Sequence, residues 1–332
     1  MNRLLATLIL FTLAGGACAS STQSIPHEIS PKGVVMELIP AGEFIMGSNK
    51  VDTKGLRNEF GSIKPWYLDE HPRHKEKTRA YYIGKYEVTN KQYRNFVTSA
   101  HREPPTSWVE SGYVVTLKEE KLKLLSEVQL RKVAVDRFHI DVDTRKMDKA
   151  QLISTIEKYF NSMDNLPVQS VSWYDAEAFC EWDGGKLPSE AQWERASRGD
   201  HGNEFPWGNK FEPGLSNTGD EDWPLGTAPV GSYKKDKSAF GIYDMAGNVS
   251  EWVYDWYHPY PGSKYKSQQY GKKFKVIRGA GWGGNGHYAL KMYQRGAYRL
   301  YLNPQTADED LGFRCTVNAK KALKHQITAA AR

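Results

Sequence analysis

The run 241–252 concentrates the residue types that could do chemistry in this chain. It carries the carboxylates of Asp244 and Glu251 and the amide of Asn248. Gly247 adds a position at which backbone carbonyls can turn inward. Mixed side-chain and backbone oxygens suit a hard cation such as calcium, which takes six or more oxygen ligands. A tight turn whose Asp and Asn side chains bond to their own backbone accounts for the same residues equally well.

Composition is that of an ordinary globular protein with many loops. Of the 332 residues, 25% are charged and 39% are hydrophobic, enough to bury one large core or two smaller ones. The ten tryptophans, 19 tyrosines and 29 glycines predict loops pinned by aromatic rings rather than long helices. The net charge of +6 is spread over mixed-sign clusters without a long basic stripe, which argues against a nucleic-acid partner.

Residues 1–19 have the pattern of an export signal. Arg3 supplies the positive start, an apolar stretch follows, and small residues end the segment. About eleven apolar positions are too few for a permanent membrane-spanning helix. Cleavage after Ala19 predicts a soluble secreted or periplasmic protein, whereas lipidation of Cys18 predicts an outer-membrane anchor. We therefore expect an exported protein that contacts a membrane only through a lipid at Cys18, if at all.

The segments after the signal predict a tether, two strands and a loop. Residues 20–33 are polar without periodicity and predict a tether, and residues 34–47 predict two short strands around a turn. The charged segment 49–79 predicts an irregular loop. Within it His71 and His74 suggest a metal site, but neither cysteines nor spaced carboxylates accompany them, so we interpret this part as solvated loop.

Capping pairs mark where helices begin. After a predicted strand at 80–88, Thr89 and Gln92 form one such pair. The pattern recurs later as Asp148 with Gln151, Ser172 with Asp175, and Ser189 with Gln192. Each pair predicts a helix, because the two side chains satisfy N–H groups that a first helical turn leaves unpaired. Beyond these helices, frequent glycine and proline predict loops and short strands, and the basic tail 317–332 predicts a frayed end or short helix.

Residues 116–165 differ from the rest of the chain in having fewer aromatic residues and more charges. Helical patterns flank 136–143, which alternates like a strand. Asp141 and Asp143 are spaced like calcium ligands, but the glycine and final glutamate of a calcium-binding loop are absent. We interpret 116–165 as a helical insertion at the surface, either a partner-binding face or a structural excursion.

The chain has three cysteines, Cys18, Cys180 and Cys315. After signal processing, Cys180 and Cys315 are the two that are certain to remain. They either form a disulfide or stay as buried thiols, and an oxidising compartment favours the disulfide.

Several motifs, in order, resemble those of the formylglycine-generating enzymes, the sulfatase-modifying factor family. The stretches that carry the resemblance are 40–47 (PAGEFIMG), 86–93 (YEVTNKQY), 168–194 with its KLPSEAQWE, 205–208 (FPWG), 226–230 (GTAPV), 241–252 (GIYDMAGNVSEW) and 311–315 (LGFRC). Together they span about 34–316, interrupted by the insertion 116–165.

This resemblance implies a single α+β domain with the C-type-lectin-like fold of the family and little regular secondary structure. It also implies a disulfide between Cys180 and Cys315 and two structural calcium sites. The implied ligands are Asn217, the Thr218 carbonyl, Asp222 and the Pro224 carbonyl for the first site, and Asp244, the Gly247 carbonyl, the Val249 carbonyl and Glu251 for the second.

The chain departs from the family where the reaction takes place. The family enzyme oxidises a sulfatase cysteine to formylglycine with a thiol pair that binds copper(I), and thiolates suit that soft ion. Here no cysteine occurs between Arg278 and Arg314, and Gly281 stands where the family usually has Ser. We therefore expect neither formylglycine-generating activity nor a copper cofactor.

Three functions fit a member without the thiols. The first is binding or scaffolding of a protein, peptide or small molecule through a groove whose candidate residues are Trp282, His287, Tyr288, Tyr293 and Arg295. The second is an oxidoreductase of a non-thiol type, as in siderophore-maturation relatives, or an accessory factor for sulfatase-like or secretion systems. The third, non-haem iron chemistry as in related sulfoxide synthases, is disfavoured because it needs a separate helical domain. We favour binding, since one histidine in a glycine-rich strand is more often structural than catalytic.

Overall fold

Two four-stranded sheets and one two-stranded sheet form the frame. The computed structural model describes residues 26–55, 66–113, 119–138, 140, 142–219, 223, 225–283 and 291–323. Its strands are β1 (Glu28–Ile29), β2 (Met36–Ile39), β3 (Gly42–Met46), β4 (His74–Thr78), β5 (Tyr81–Gly84), β6 (Ser250–Trp256), β7 (Lys275–Arg278), β8 (Leu300–Leu302), β9 (Leu311–Phe313) and β10 (Thr316–Asn318).

The sheets join distant parts of the chain. The first has the order β1-β2-β5-β10 and is antiparallel, and β3 pairs antiparallel with β4. The third has the order β8-β7-β6-β9, in which β6 and β9 run parallel and the other pairs antiparallel. Strands and helices are segregated along the chain, so the predicted α+β class is confirmed.

Short helices cover these sheets. They are α1 (Asn90–Ala100), α2 (Thr106–Ser111), α3 (Glu119–Leu124), α4 (Glu127–Lys132), α5 (Lys149–Asp164), α6 (Trp173–Trp182) and α7 (Glu190–Arg198), with shorter helical turns at Pro31–Gly33, Leu68–Glu70, Val133–Arg137 and Thr144–Lys146. In the part of the chain that the structure describes, no helix combines the length and the apolar character needed to cross a membrane.

The predicted helix starts are confirmed. At α1 the Thr89 hydroxyl accepts the Gln92 N–H at 3.4 Å, and the Gln92 side chain accepts the Thr89 N–H at 2.9 Å. The same reciprocal pair opens α5 at Asp148 with Gln151 and α7 at Ser189 with Gln192, while Ser172 accepts the Asp175 N–H at the start of α6. Each cap stabilises its helix by about 1 kcal/mol.

The insertion 116–165 is helical, as predicted, but it belongs to the main core rather than to the surface alone. Leu152, Ile156 and Phe160 on one face of α5 are buried in a cluster that also contains residues of α1 and α6. Phe160 stacks on Tyr113 with ring centroids 4.6 Å apart. Burying each such side chain contributes about 1.5–3 kcal/mol, so the apolar face of α5 decides where the insertion lies.

The prediction of a strand at 136–143 is wrong for the residues of this segment that the structure describes. Val133–Arg137 forms a helical turn and Thr144–Lys146 another, while residues 139 and 141 lie outside the described part. Phe138 is buried against Tyr159 at 5.6 Å between ring centroids. Alternation over so few positions does not separate a strand from a helical turn that buries one aromatic ring.

Two further strands lie in segments that the sequence assigned to loop or tether. His74–Thr78 pairs along its whole length with β3, although its side chains are charged and partly exposed. Glu28–Ile29 pairs with β2 within the predicted tether 20–33. In both cases backbone pairing with a distant strand decides the conformation, and this leaves little trace in local hydrophobic pattern.

The predicted disulfide is confirmed. Cys180 on α6 bonds to Cys315, which lies between β9 and β10, with the Cα atoms 5.5 Å apart. The bond closes a loop of 135 residues, which in the chain-entropy account stabilises the fold by about 5 kcal/mol. It fixes α6 against the first sheet.

Buried guanidinium groups connect the loops. Arg278 donates to Glu190 at 2.7 Å and to Glu194 at 2.8 Å, and Arg299 donates to both oxygens of Glu190 at 2.6 and 2.8 Å. Burial alone would raise the pKa of Glu194, but the charges of Arg278 and Arg198 outweigh it and hold the pKa at about 2. Glu194 therefore stays ionised and paired inside the protein.

Asp183 is a buried carboxylate whose contribution to stability depends on pH. It follows α6, is buried, and has neither carboxylate oxygen hydrogen-bonded within the described residues. Burial raises its pKa to about 7, and the negative end of the helix dipole acts in the same direction. Because the folded state keeps a proton that the unfolded chain releases near pH 4, this group costs stability as the pH rises from about 4 to about 7.

We expect Asp183→Asn to raise the free energy of unfolding by about 1–2 kcal/mol at pH 7.5 and to change it little at pH 4. Urea unfolding at the two pH values measures this. The matched control is Glu181→Gln, an exposed carboxylate on the same helix, which should change stability by less than about 0.5 kcal/mol at either pH. An equal gain at both pH values for Asp183→Asn would contradict the assignment.

Candidate functional site

Asn248 connects three loops at the centre of the run 241–252. Its Oδ1 accepts the Ala228 N–H at 2.9 Å and the Asn217 side-chain amide at 3.2 Å. Its Nδ2 donates to Glu87 Oε1 at 3.0 Å and to the Ala228 carbonyl at 3.2 Å. Its φ of 74° is left-handed, which asparagine tolerates better than most residues. The amide thus holds other loops, rather than only its own turn.

Four buried carboxylates, those of Glu87, Asp236, Asp244 and Glu251, lie near the single guanidinium of Arg314. Glu251 Oε1 accepts Arg314 Nη2 at 2.7 Å and Glu251 Oε2 accepts Arg314 Nε at 2.7 Å. Asp244 Oδ2 accepts a backbone N–H at 2.5 Å, and Asp236 Oδ2 accepts another at 3.1 Å. One guanidinium cannot neutralise four carboxylates, so this acidic cluster must hold protons or a cation.

The pKa shifts have the same cause. Burial raises the pKa of Glu87 well above its usual range, and the charge of Asp244 raises it further. Burial also raises the pKa of Asp236 well above its usual range, and raises that of Asp244 to about 6. Glu87 Oε2 and Asp236 Oδ1 are buried without a hydrogen-bond partner among the described residues. Glu87 Oε2 does lie 4.0 Å from Arg314 Nη2, within ion-pair distance. Buried oxygens that accept no hydrogen bond are the donors that a hard cation uses.

The second predicted calcium site falls in this cluster. Asp244 and Glu251 are both buried there, although Glu251 is already ion-paired with Arg314. A Cβ on Gly247 would lie 2.5 Å from the Asn217 carbonyl oxygen, so this position requires glycine. Val249 is buried beside them. The oxygen donors therefore fit a cation. The guanidinium of Arg314, however, already occupies a place beside Glu251 and would compete with the cation.

The first predicted calcium site is only partly described. Asn217 and Thr218 are buried, and the Asn217 amide donates to the Gly226 carbonyl at 2.9 Å. Asp222 and Pro224 lie outside the described residues. Within the described part of the chain, no three His, Cys, Asp or Glu side chains are grouped as metal ligands. Calcium binding stays a prediction at both positions.

Trp282 borders an open cleft of about 460 Å³. Its backbone N–H donates to the Asn248 carbonyl at 3.1 Å, and its indole N–H contacts the Glu309 carbonyl at 3.2 Å. A Cβ on Gly226 would lie 2.2 Å from the indole, so glycine there lets the ring approach the backbone. The full lining comprises Thr106, Glu110, Ser170, Trp282, Gly283, Ala307, Asp308, Glu309 and Asp310. We call this the Trp282 cleft; four of its nine lining residues are acidic.

Asp310 explains why glycine occupies position 281. A Cβ on Gly281 would lie 2.7 Å from Asp310 Oδ2 and 2.8 Å from Asp310 Cβ, so no side chain fits. Burial raises the pKa of Asp310 to about 6, with a further contribution from the charge of Asp308. The serine that the family usually has at this position is thus excluded by the carboxylate that fills its place.

The other groove candidates do not line the Trp282 cleft. Two of them are buried elsewhere, and two lie outside the described residues. Arg295 is 2% exposed and donates to Glu70 Oε1 at 2.7 Å, so its charge is used inside the protein and does not line a groove. Tyr293 is 6% exposed and packs edge-on against Trp66, with ring centroids 6.3 Å apart. His287 and Tyr288 lie outside the described residues. Of the candidates that the structure describes, Trp282 borders the cleft, and the predicted groove stays a prediction.

Sequence reasoning missed Glu87, Asp236 and Arg314 in the acidic cluster and Asp310 in the Trp282 cleft. Glu87 and Arg314 do lie in matched motifs, YEVTNKQY and LGFRC, which was the available signal. They lie 227 positions apart (314 − 87) in the chain, and only the fold brings them to 4.0 Å.

Comparison with known proteins defines the class of this domain. A family model described as a sulfatase-modifying factor enzyme 1-like domain matches residues 23–319. The chain therefore belongs to the formylglycine-generating enzyme-like, or sulfatase-modifying factor, family. The match begins earlier than the predicted domain start at 34, in agreement with the place of β1 in the first sheet.

Relatives include proteins named as active and as inactive. The inactive C-alpha-formylglycine-generating enzyme 2 of Mus musculus is 30% identical over 299 residues, covering 85% of each chain. The formylglycine-generating enzyme of Streptomyces coelicolor is 30% identical over 302 residues, covering 85% of this chain and 88% of that one. Since both are equally similar, overall identity does not decide activity.

Solved structures show the same fold. PvdO from Pseudomonas aeruginosa superposes with a TM-score of 0.55 at 21% identity and covers 87% of this chain and 97% of its own. Treponema denticola variable protein 1 gives a TM-score of 0.54 at 20% identity, with coverage of 88% and 98%. At such identities the likeness concerns the fold alone.

Asn248 allows the contribution of the loop junction to be measured. We expect Asn248→Ala to lower the free energy of unfolding by about 3–4 kcal/mol, because it leaves buried polar partners unsatisfied and places alanine at a left-handed φ. Asn248→Gly removes the same hydrogen bonds without the backbone strain, so it should cost about 1 kcal/mol less. Urea unfolding compares the two, and a loss below about 1 kcal/mol for both would show that the junction is not needed.

Proposed function

We propose that this protein is an exported binding or scaffold protein on the formylglycine-generating enzyme fold, in which thiol- and copper-dependent oxidation has been lost. The observation that carries the proposal is the cysteine inventory. Of the three cysteines, Cys180 and Cys315 are bonded to each other, and Cys18 lies in the predicted signal. No thiol pair remains to bind copper(I).

The Trp282 cleft is the proposed ligand site. An indole beside acidic side chains favours a ligand that combines a positive charge with a flat or apolar part, because the ring face and the carboxylates both attract cations. Glu110 and Asp308 are exposed at the cleft and available to such a ligand. The ligand class is therefore a peptide, protein segment or small molecule with a basic group.

Export is supported by two observations. Residues 1–19 have the composition of a signal, and the Cys180–Cys315 bond is of a kind that persists in oxidising compartments and is rare in the cytosol. We propose a periplasmic, outer-membrane-anchored or secreted location, with Cys18 as the lipid attachment point in the anchored case.

We expect no formylglycine when the protein is incubated with copper(I) and a peptide carrying the Cys-x-Pro-x-Arg sulfatase motif. The physical reason is the missing thiol pair. Mass spectrometry of the peptide measures conversion, and the Streptomyces coelicolor enzyme serves as the positive control. Turnover by this protein under conditions in which the control is active would overturn the loss of the reaction.

The same arginine-containing peptide tests the binding half of the proposal. We expect fluorescence anisotropy to detect binding, and the double variant Glu110→Gln/Asp308→Asn to weaken it about fivefold, since both changes remove exposed negative charge. Glu103→Gln, an exposed carboxylate outside the cleft lining, should leave the affinity unchanged. Equal affinity for wild type and double variant would exclude the Trp282 cleft as the site.

We further propose that calcium balances the acidic cluster of Glu87, Asp236, Asp244 and Glu251. The support is the excess of buried carboxylates over guanidinium groups, together with Glu87 Oε2 and Asp236 Oδ1, which accept no hydrogen bond among the described residues. When bound, the ion would supply positive charge that fixes the loops which carry these side chains. Its role would be structural.

Removal of calcium should lower the melting temperature, and addition of calcium, but not of magnesium, should restore it. Thermal unfolding of the full chain before and after chelation measures this, with metal content determined in parallel. In the Asp244→Asn variant the response to calcium should be smaller, because one ligand charge is gone. An unchanged melting temperature together with no bound calcium would contradict the proposal.

A further inference from the structure

We propose a second ligand site, for a phosphate ester of a small ring-containing molecule, in a cleft bordered by Lys264 and Lys266. The cleft has a volume of about 470 Å³ and shares no lining residue with the Trp282 cleft. Its lining comprises Asn49, Leu68, His71, Pro72, Gly262, Ser263, Lys264, Tyr265 and Lys266, and we call it the Lys264 cleft.

The charged residues in the lining of the Lys264 cleft are lysines. Lys264 and Lys266 are exposed, and neither has an ion-pair partner within the described ranges. The lining contains no Asp or Glu. The surrounding sequence has the same bias, because residues 256–307 contain no acidic residue while they include nine basic ones, namely Lys264, Lys266, Lys272, Lys273, Lys275, Arg278, Lys291, Arg295 and Arg299.

The two acidic residues that follow Leu68 in the chain are committed to the interior. Asp69 and Glu70 follow Leu68 directly, but both are fully buried. The Asp69 carboxylate accepts the Tyr257 hydroxyl at 2.7 Å, and Glu70 accepts Arg295 at 2.7 Å. Their carboxylates are therefore used in buried contacts, and neither residue belongs to the cleft lining.

Hydrogen-bond donors accompany the lysines. The Asn49 side-chain oxygen accepts the Arg73 N–H at 2.8 Å, which fixes the amide and leaves its NH2 group as the end that can donate to a ligand. The His71 Nε2–H donates to the Lys50 carbonyl and is therefore not counted among the donors for a ligand. Two ammonium groups and an oriented amide match a phosphate dianion better than a neutral ligand.

The remaining lining is apolar and explains the second part of the ligand. Leu68 is 36% exposed, so part of its aliphatic side chain is open to solvent. It shares the cleft with Pro72 and the ring of Tyr265. A ring or other flat apolar body would cover these groups, while its phosphate contacts the lysines.

The concave shape favours a small molecule over an extended anionic surface. A membrane or polyanion would meet all exposed lysines of the segment alike, including Lys272 and Lys273, which lie outside the cleft lining. A ligand inside the cleft depends on Lys264 and Lys266 and on the apolar contact with Leu68. This difference makes the two cases separable.

Phenyl phosphate is the probe. Inorganic phosphate tests the anionic group alone, and uncharged benzyl alcohol tests an aromatic ring without the phosphate. Saturation-transfer NMR and titration calorimetry with the full chain should show phenyl phosphate binding more tightly than either half. Lys264→Glu/Lys266→Glu should weaken binding about tenfold or more, because two attractive charges become repulsive. The matched control Lys272→Glu/Lys273→Glu, which makes the same charge change in the same segment, should weaken it less than about twofold.

Leu68→Ala separates the ring contact from the charge. It should weaken phenyl phosphate binding about threefold and leave inorganic phosphate unaffected. The proposal is overturned if both lysine pairs have equal effects, if benzyl alcohol binds as tightly as phenyl phosphate, or if the protein binds phosphatidylglycerol vesicles but not phenyl phosphate. None of these residues belongs to the Trp282 cleft, so failure here leaves the proposed function standing, and the converse also holds.

Discussion

The pairing of buried arginines with buried carboxylates is the constraint on which the rest of this structure depends. A chain with short strands and many loops leaves polar groups inside that regular hydrogen-bond ladders do not satisfy. Arg278, Arg299 and Arg314 reach into these regions and bridge segments far apart in sequence. Removing one partner of such a pair strands the other charge, which costs about 3–5 kcal/mol, so the network holds the loops in one arrangement.

Close packing at Gly281 distinguishes this protein from the enzymes that it resembles. Where the family has a serine before its reaction centre, the Asp310 carboxylate lies against Gly281 and leaves no room for a side chain. Cys180 and Cys315 bond to each other and join α6 to the segment between β9 and β10. A frame held by charge pairs and one disulfide does not depend on reactive thiols for its shape.

Two clefts of similar size and opposite charge follow from how the charged residues are distributed. Acidic residues gather at 308–310 beside Trp282, while the 52 positions before them (256–307) contain none. The arginines of that basic segment turn inward to the buried carboxylates, whereas Lys264 and Lys266 are exposed at the Lys264 cleft. The surface thus presents one cleft with an acidic lining and one with a basic lining.

The sequence by itself determined the family, the α+β class and the starts of α1, α5, α6 and α7, because these depend on local side-chain chemistry or on motifs contiguous in the chain. It also determined the disulfide, because the family motifs contain Cys180 and Cys315. Only the tertiary structure decided that Arg295 is buried, that α5 joins the main core, and that β1 and β4 are strands. It also brought Glu87 and Arg314 to one cluster and Asp310 to Gly281. Such contacts join residues with no periodic or spacing relation, since burial and backbone pairing with distant segments, rather than local pattern, select them.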